Sequence, residues 1–562
     1  MFRENNGHNQ QELYNSFSVL HPRIQKKLEE SWAFIFYKHV FCQIDEKPFA
    51  VLYSPDKGRT NFPVNILLSL EQIKHIFDYT DENLLEQYNF NYQVMYALGE
   101  RNLGERHLAE RTLYYFRRKV YQYTVEHPEQ EDLIFGQFKE LTNHFMEVLG
   151  ISTQQQRMDS TFFMSNIKLA GRLSLAYDVL LQAIKACPEE MLPEHLKEVL
   201  KPEFKTDLLF RSKSSQVPGR LQEMLGLSAE LLELVKNKEL AWSHEISLLR
   251  RFLDEQAFYD KESKSWHCKE NKDIKATSLQ SAYDPDATYR SKDGKSNKGY
   301  TLNIAETCAD ENPVQLVTDY TIKNCSASDT EMVRERLPEI KSNTDITDLY
   351  VDGGYYSEEV EKESQEQNVN MHYTDMTGKA PDPEKIPLTE FEFDEDFNVL
   401  SCPENHSSLK SNFKKKTGIV NAHFSLEHCQ HCPLKDRCPV KIQKKSAVLR
   451  INQKAVLAAR ARNRTFSEPL RREATSKRAA SEGSISAIKR SQGADKLRVR
   501  TQPKAQVVMG FKMIGRNIRQ VIRCFQGKER KRAAAVQAPA TSVYPCQAAV
   551  GMPPPAGGVC TF

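Results

Sequence analysis

One arrangement constrains the fold of this chain more than any other: strand-like sequence on either side of a long helical block. QRMDSTFFM, around residues 156–164, reads as a short strand. Residues 165–260 then carry apolar side chains at three- and four-residue spacing, in LAYDVLLQAIKACP, LQEMLGLSAELLELVKN and ISLLRRFLDEQAF. Strand patterning returns in YTLNIAET and PVQLVTDYTIKN, where β-branched and polar residues alternate. TEMVRERLPEIKSN is an amphipathic helix, and TDLYVDGGYYSEE is a strand ending at Asp352 before Gly353 and Gly354. Strands, helix and strand in this order predict a mixed α/β sheet interrupted by a helical insertion. An acid at the C-terminal end of a strand is where open sheets place ligand sites.

Charge is distributed unevenly. Residues 441–532 hold 26 Lys or Arg against five acids, a net charge of +21, while the whole chain of 562 residues carries +3. So basic a segment points to a polyanionic partner, and nucleic-acid phosphate is the natural one. An acid inside it, Glu482, needs a reason. On a helix, Arg478 and Glu482 share a face, and Lys489 returns to that face two turns on. A metal-binding Glu482 would then lie between two cations able to hold phosphates, with a solvated basic helix as the plain alternative.

Asp159 in a strand, Asp352 at a strand end and Glu482 on a helix are the acids suited to hold two magnesium ions for phosphodiester chemistry. Taken singly, each has an ordinary reading: a cap or turn aspartate, an Asp-Gly turn, a compensating surface charge. No Lys-Ser/Thr follows the Gly pair at P-loop spacing, so no nucleotide-binding motif is expected. Lys292, Lys295 and Lys298, around the turn before the first long strand, are candidates to line a DNA path or a solvated hairpin.

RMDST, GYTLNIAET, YVDGGYYSEE and the spacing Arg478-x3-Glu482-x6-Lys489 resemble the DDE transposases of bacterial insertion sequences. The similarity is greatest to the group called IS eleven-eighty-two, related to the IS four and IS five groups, and spans roughly residues 15–525. It implies a ribonuclease-H-like mixed-sheet catalytic core, with Asp159, Asp352 and Glu482 as the catalytic, metal-binding triad and Arg478 and Lys489 as DNA-contacting residues. Two Mg2+ ions, replaceable by Mn2+, would be the cofactors. Double-stranded DNA, as element ends and target, would be the partner of a homodimer or larger synaptic complex. The related signature has Tyr three residues before the Arg; here that position is Thr475.

Cys429-x2-Cys432-x5-Cys438, with Cys402 upstream, is a candidate structural zinc site, against the alternative of reduced surface thiols. His406, His428 and His431 are possible substitute ligands. The expected organisation is an N-terminal helical, DNA-binding module at 1–130 with Arg117, Arg118 and Lys119 grouped on its last helix. The first core segment follows at 131–164, a helical insertion at 165–285 and core strands at 286–365. A Cys-rich insertion occupies 366–452, the basic helical region 453–530 and a disordered tail 531–562. No apolar run nears the ~20 residues of a membrane span, so a bacterial cytoplasmic, nucleoid-associated protein without membrane contact is expected. The expected activity is cleavage at element ends and strand transfer. The alternatives are an inactive transposase-derived DNA-binding protein and a related nuclease.

Overall fold

The computed structural model describes residues 1–9, 15–102, 104, 106–168, 170–262, 265–292, 294–374, 384–394, 396–414, 417–444, 446–463 and 468–537. Most of the expected tail, from 538 onward, lies outside the described residues. Among the described residues no helix is long and apolar enough to cross a membrane.

The chain opens with helices, among them α1 (Val64–Phe77), α2 (Asp81–Phe90), α3 (Glu110–Glu126) and α4 (Leu133–Leu149). Asp132 starts α4 by accepting hydrogen bonds from the Ile134 and Phe135 amides, both at 2.9 Å. Gly150 ends it at φ 65°, a left-handed conformation that other residues rarely adopt. Strand β1 (Gln155–Phe163) follows.

The insertion contributes α5 (Arg172–Ala186), α6 (Val217–Val235) and α7 (His244–Gln256), which close on a core of their own around Leu180, Leu225, Leu249 and Phe252. The sheet then resumes with β2 (Thr288–Lys292), β3 (Lys295–Thr307) and β4 (Val317–Asn324). Helix α8 (Asp329–Asn343), β5 (Asp348–Asp352), α9 (Glu358–Glu366) and β6 (Asn370–Thr374) complete it.

Across its widest part the strand order is β4-β3-β1-β5-β6, and β2 pairs with the first residues of β3. β3 runs antiparallel to β1 and β4, while β1, β5 and β6 are mutually parallel. One face, with Met158, Leu349, Val351 and Met371, packs on α8 and α9 through Val333, Leu337 and Val360. Other sheet residues, including Phe163, Leu302 and Tyr320, join the N-terminal helices in a single large core. The last helix, α11 (Gln502–Gln537), runs through that core. Before it comes α10 (Glu468–Ser491), which lies along β1.

Between β6 and α10 the chain forms a four-stranded antiparallel sheet over residues 410–452, with its own core of Val420, Ala422, Phe424 and Leu449.

Candidate functional site

The register of β1 and β5 brings two distant acids together. Gln155 faces Asp348 and Arg157 faces Tyr350. Two residues beyond the last paired positions, Asp159 and Asp352 are close enough for the charge of one to act on the other. Burial pushes the Asp159 carboxyl above the ordinary carboxylate range. A hydrogen bond from Ser481 opposes this, the negative charge of Asp352 adds to it, and Arg478 opposes it. Asp352 accepts a hydrogen bond from the Gly354 amide at 2.8 Å, which turns the chain sharply away from the strand end. A Cβ at position 354 would lie 2.9 Å from Asp352 Oδ1 and 3.2 Å from Asp329 Oδ2, so any larger residue there must displace a carboxylate.

Helix α10 is fastened along β1 at successive turns. Lys477 Nζ donates to Gln155 Oε1, and the Lys477 carbonyl accepts from Arg157 at 3.1 Å. Ser481 Oγ donates to Asp159 Oδ2 at 2.8 Å. Lys489 Nζ donates to the Phe162 carbonyl at 2.6 Å. Beneath the helix, Glu306 on β3 is buried between Arg157 (2.8 Å) and Arg516 (3.2 Å) and accepts from Ser484 at 2.8 Å.

The residue against Asp159 is therefore Ser481. Glu482, next in sequence, is turned outward: its side chain is 68% exposed and pairs with Arg478 at 3.3 Å. Arg478 in turn acts on Asp159 through its charge. The two aspartates are thus adjacent, and Glu482 stands at their margin without joining them. Among the described residues no three of His, Cys, Asp or Glu are gathered in a geometry that holds a metal ion. The donor set nevertheless suits a hard divalent cation: two neighbouring carboxylates repel one another, and the charge of Arg478 opposes this only in part. Lys489 is engaged by the Phe162 carbonyl and by Asp495 at 3.1 Å, so its ammonium first of all positions α10.

Asp329 belongs to the same neighbourhood and was not anticipated. Its Oδ1 accepts from Ser160 Oγ at 2.7 Å, and its charge, with those of Asp159 and Asp352, bears on buried Tyr355. In sequence it looks like a first-turn helix acid after the Ser328 cap, and it is that too.

The four cysteines converge on one cavity of about 30 Å3, with His406 and His428 also in its wall. All four are free thiols. Burial and the neighbouring Cys438, Cys402 and Cys432 push Cys429 up to about 11. The thiols share the cavity without closing into a ligand set.

Of the basic trio on α3, Arg117 is taken up by Glu71 (2.7 Å) and Asp81 (2.6 Å), and Lys119 lies over the Tyr53 ring at 4.0 Å. Arg118 is exposed. Lys298 donates to the Ala170 carbonyl at 2.8 Å.

Two regions match known protein families. Residues 401–522 match a model described as Transposase DDE domain, and residues 24–119 match one described as Transposase domain (DUF772). The first includes α10 with Glu482 but neither aspartate. No curated protein and no solved structure matches the chain. The two matches support a DDE transposase, a class that acts on DNA and depends on divalent metal.

Proposed function

We propose that this chain is an insertion-sequence transposase that cuts DNA at the ends of its element and joins them to a target, with Asp159, Asp352 and Glu482 as its catalytic acids. The observation that carries this reading is that Asp159 and Asp352 stand on adjacent parallel strands, close enough for the charge of one to act on the other, with α10 fastened to Asp159 through Ser481. The strand order β4-β3-β1-β5-β6 suits a ribonuclease-H-like core.

Asp159 and Asp352 would hold magnesium, and Glu482 would complete the set by turning from Arg478 toward the strand ends. When bound, the metal supplies positive charge that stabilises the transferring phosphate and makes an oxygen nucleophile available at neutral pH. The chain's own work is positioning. Ser481 fixes one oxygen of Asp159 and leaves the other free of α10. Gly354 keeps the Asp352 carboxylate against the strand end. Arg478, released from Glu482, is placed to hold a phosphate beside the acids. A water, and then a DNA 3′-hydroxyl, would attack phosphorus in line. Exchange of one phosphodiester for another is nearly isoenergetic, so no ATP is required. Joining two ends implies a homodimer or larger assembly on double-stranded DNA.

The outward carboxylate of Glu482 and Thr475 in place of the signature Tyr favour a second reading, a DNA-binding protein that no longer cuts. One experiment separates the two. DNA carrying the inverted repeats that flank the gene is incubated with the protein and magnesium. Cleavage at the repeat ends is expected, and Asp352→Asn should abolish it while end binding persists. Cleavage retained by Asp352→Asn removes the triad; binding without cleavage by the unaltered protein leaves the second reading.

A further inference from the structure

Outside the carboxylate site, a cleft of about 630 Å3 lies between the N-terminal helices and the C-terminal strap. Its walls are α1 and the turn after it, α3, residues 493–499, and the first turns of α11. The volume lies within the roughly 300–1,000 Å3 typical of small-ligand pockets.

Its charge is one-sided once internal pairs are removed. Lys74 and Arg117 are matched by Asp81 and Glu71. Arg118, Lys496, Arg498 and Lys504 remain against one further acid, Asp78; all four cations are exposed, and none has a carboxylate partner among the described residues. At the base lies Lys512, only 4% exposed, whose ammonium donates to the Gln492 carbonyl and has no ion-pair partner among the described residues. Burial pushes it down to about 8. Asp78, also in the cleft wall, acts on it through its charge without an ion-pair contact; a buried ammonium that lacks a direct counter-ion is costly, and an anion bound in the cleft would relieve it.

The cleft is also aromatic. Tyr79, Tyr114 and Tyr121 line it, Phe511 forms part of the floor, and the Lys504 ammonium lies 4.7 Å from the centre of the Tyr121 ring. Cations beside flat rings fit a ligand that joins a phosphate to a ring. The same helix leads from the carboxylate site toward the cleft: from Ser481 to its end at Ser491, α10 spans about 15 Å at 1.5 Å per residue. The strap after it bridges Lys496 to Met164, just past the end of β1.

We infer that this cleft binds a nucleotide unit, with its phosphate on Arg498, Lys504 and Lys512 and its base against the tyrosines, and that the unit belongs to a DNA strand leaving the duplex near the catalytic acids. The inference deepens the reading above and rests on it for the source of the strand. A free nucleotide carries the same chemistry, and the test distinguishes the two.

The probe is a fluorescein-labelled, single-stranded oligo(dT) of roughly 12 nucleotides, followed by anisotropy with the full chain. Arg498→Glu with Lys504→Glu should weaken binding about tenfold or more. Lys201→Glu with Lys236→Glu, equally exposed in the helical insertion, should leave it unchanged. Tyr121→Ala should weaken it by a similar factor, and Tyr121→Phe should restore it. Displacement by dATP shows that the cleft also takes free nucleotides; failure of dATP, with the variant losses intact, assigns it to a strand unit. Oligomer affinity unchanged in the cleft variants, or displacement by inorganic pyrophosphate as effective as by dATP, overturns the inference. Asp352→Asn should bind the oligomer normally. An unaltered protein that binds it through the cleft yet never cuts end-bearing DNA would sink the transposase reading and leave this one standing.

Discussion

Ser481 shows how finely the candidate site depends on single side chains. Its Oγ lies 2.8 Å from one Asp159 oxygen and 2.6 Å from the Arg478 carbonyl, so its single proton is shared between these two acceptors. Hydrogen bonds to charged groups contribute about 1.5–3 kcal/mol, so Ser481→Ala should lower cleavage about ten- to a hundredfold while DNA affinity stays level. Ser481→Thr, which keeps the hydroxyl, should recover most of the rate; equal losses in both variants would show that the hydroxyl does not position Asp159. Gly354 makes a second, steric test. Alanine there must displace the Asp352 carboxylate or that of Asp329. A misplacement of about 1 Å can cost roughly a hundredfold in rate, so Gly354→Ala should cut poorly yet melt within a few degrees of the parent. Normal cleavage by Gly354→Ala would show that the carboxylate has room to move.

At the scale of elements, α10 and its anchorage decide whether a site exists at all. Among the described residues, Glu306 is the one acid paired with both Arg157 and Arg516 beneath the helix. Glu306→Gln leaves two buried guanidinium groups uncompensated. Breaking a buried pair costs about 3–5 kcal/mol, and urea unfolding should register a loss of that size; a change below about 1 kcal/mol would mean that water already reaches the pair. Nothing in the sequence announced this role for Glu306: it sits in GYTLNIAET as one more polar residue of an alternating strand. The strand ending at Asp352 and the helical block after β1 were legible, because turn chemistry and periodicity are local. The register that brings Asp159 to Asp352 across the insertion was not, since pairing depends on strands far apart in the chain. The helical spacing of Arg478 and Glu482 was legible as an i, i+4 pair, but which face meets the sheet was not: Ser481 and Ser484 face inward, and Glu482 faces out. The Cys-rich element offers its own test. If the shared cavity receives zinc, purified protein should carry about one zinc per chain, and Cys432→Ser should abolish it. Metal-free protein, or unchanged zinc in Cys432→Ser, would leave four reduced thiols around an empty cavity.

For the whole molecule, the decisive feature is that the N-terminal helices, the sheet and α11 share one hydrophobic core, whereas the helical insertion and the Cys-rich segment each have their own. Part of the basic C-terminal composition serves this assembly: Lys477 and Arg516 are buried, and Arg500 and Arg519 are bonded to Asn166 and Ser491. Net charge alone therefore overstated how many cations face a partner. The shared core also contains titrating groups. His39 stacks on Phe525 of α11 at 4.8 Å, and its Nδ1 lies 3.3 Å from His144 Nε2 on α4. Burial pushes His39 down to about 4, with the nearby His144 and Lys38 adding to the effect. Burial likewise lowers His144 and, far more, His75 against α11. The direction of the pH dependence follows. Between pH 6.5 and 4 the unfolded chain takes up protons at these positions that the folded chain refuses, so stability is full above about 6.5 and falls as pH drops through that window. For His39 alone the loss reaches roughly 3 kcal/mol at about 1.4 kcal/mol per pKa unit. Melting temperature measured from pH 8 to 4 should decline across this window, and His39→Gln should flatten the decline. An unaltered slope in His39→Gln would show that the junction between the N-terminal helices and α11 opens without regard to this histidine's charge.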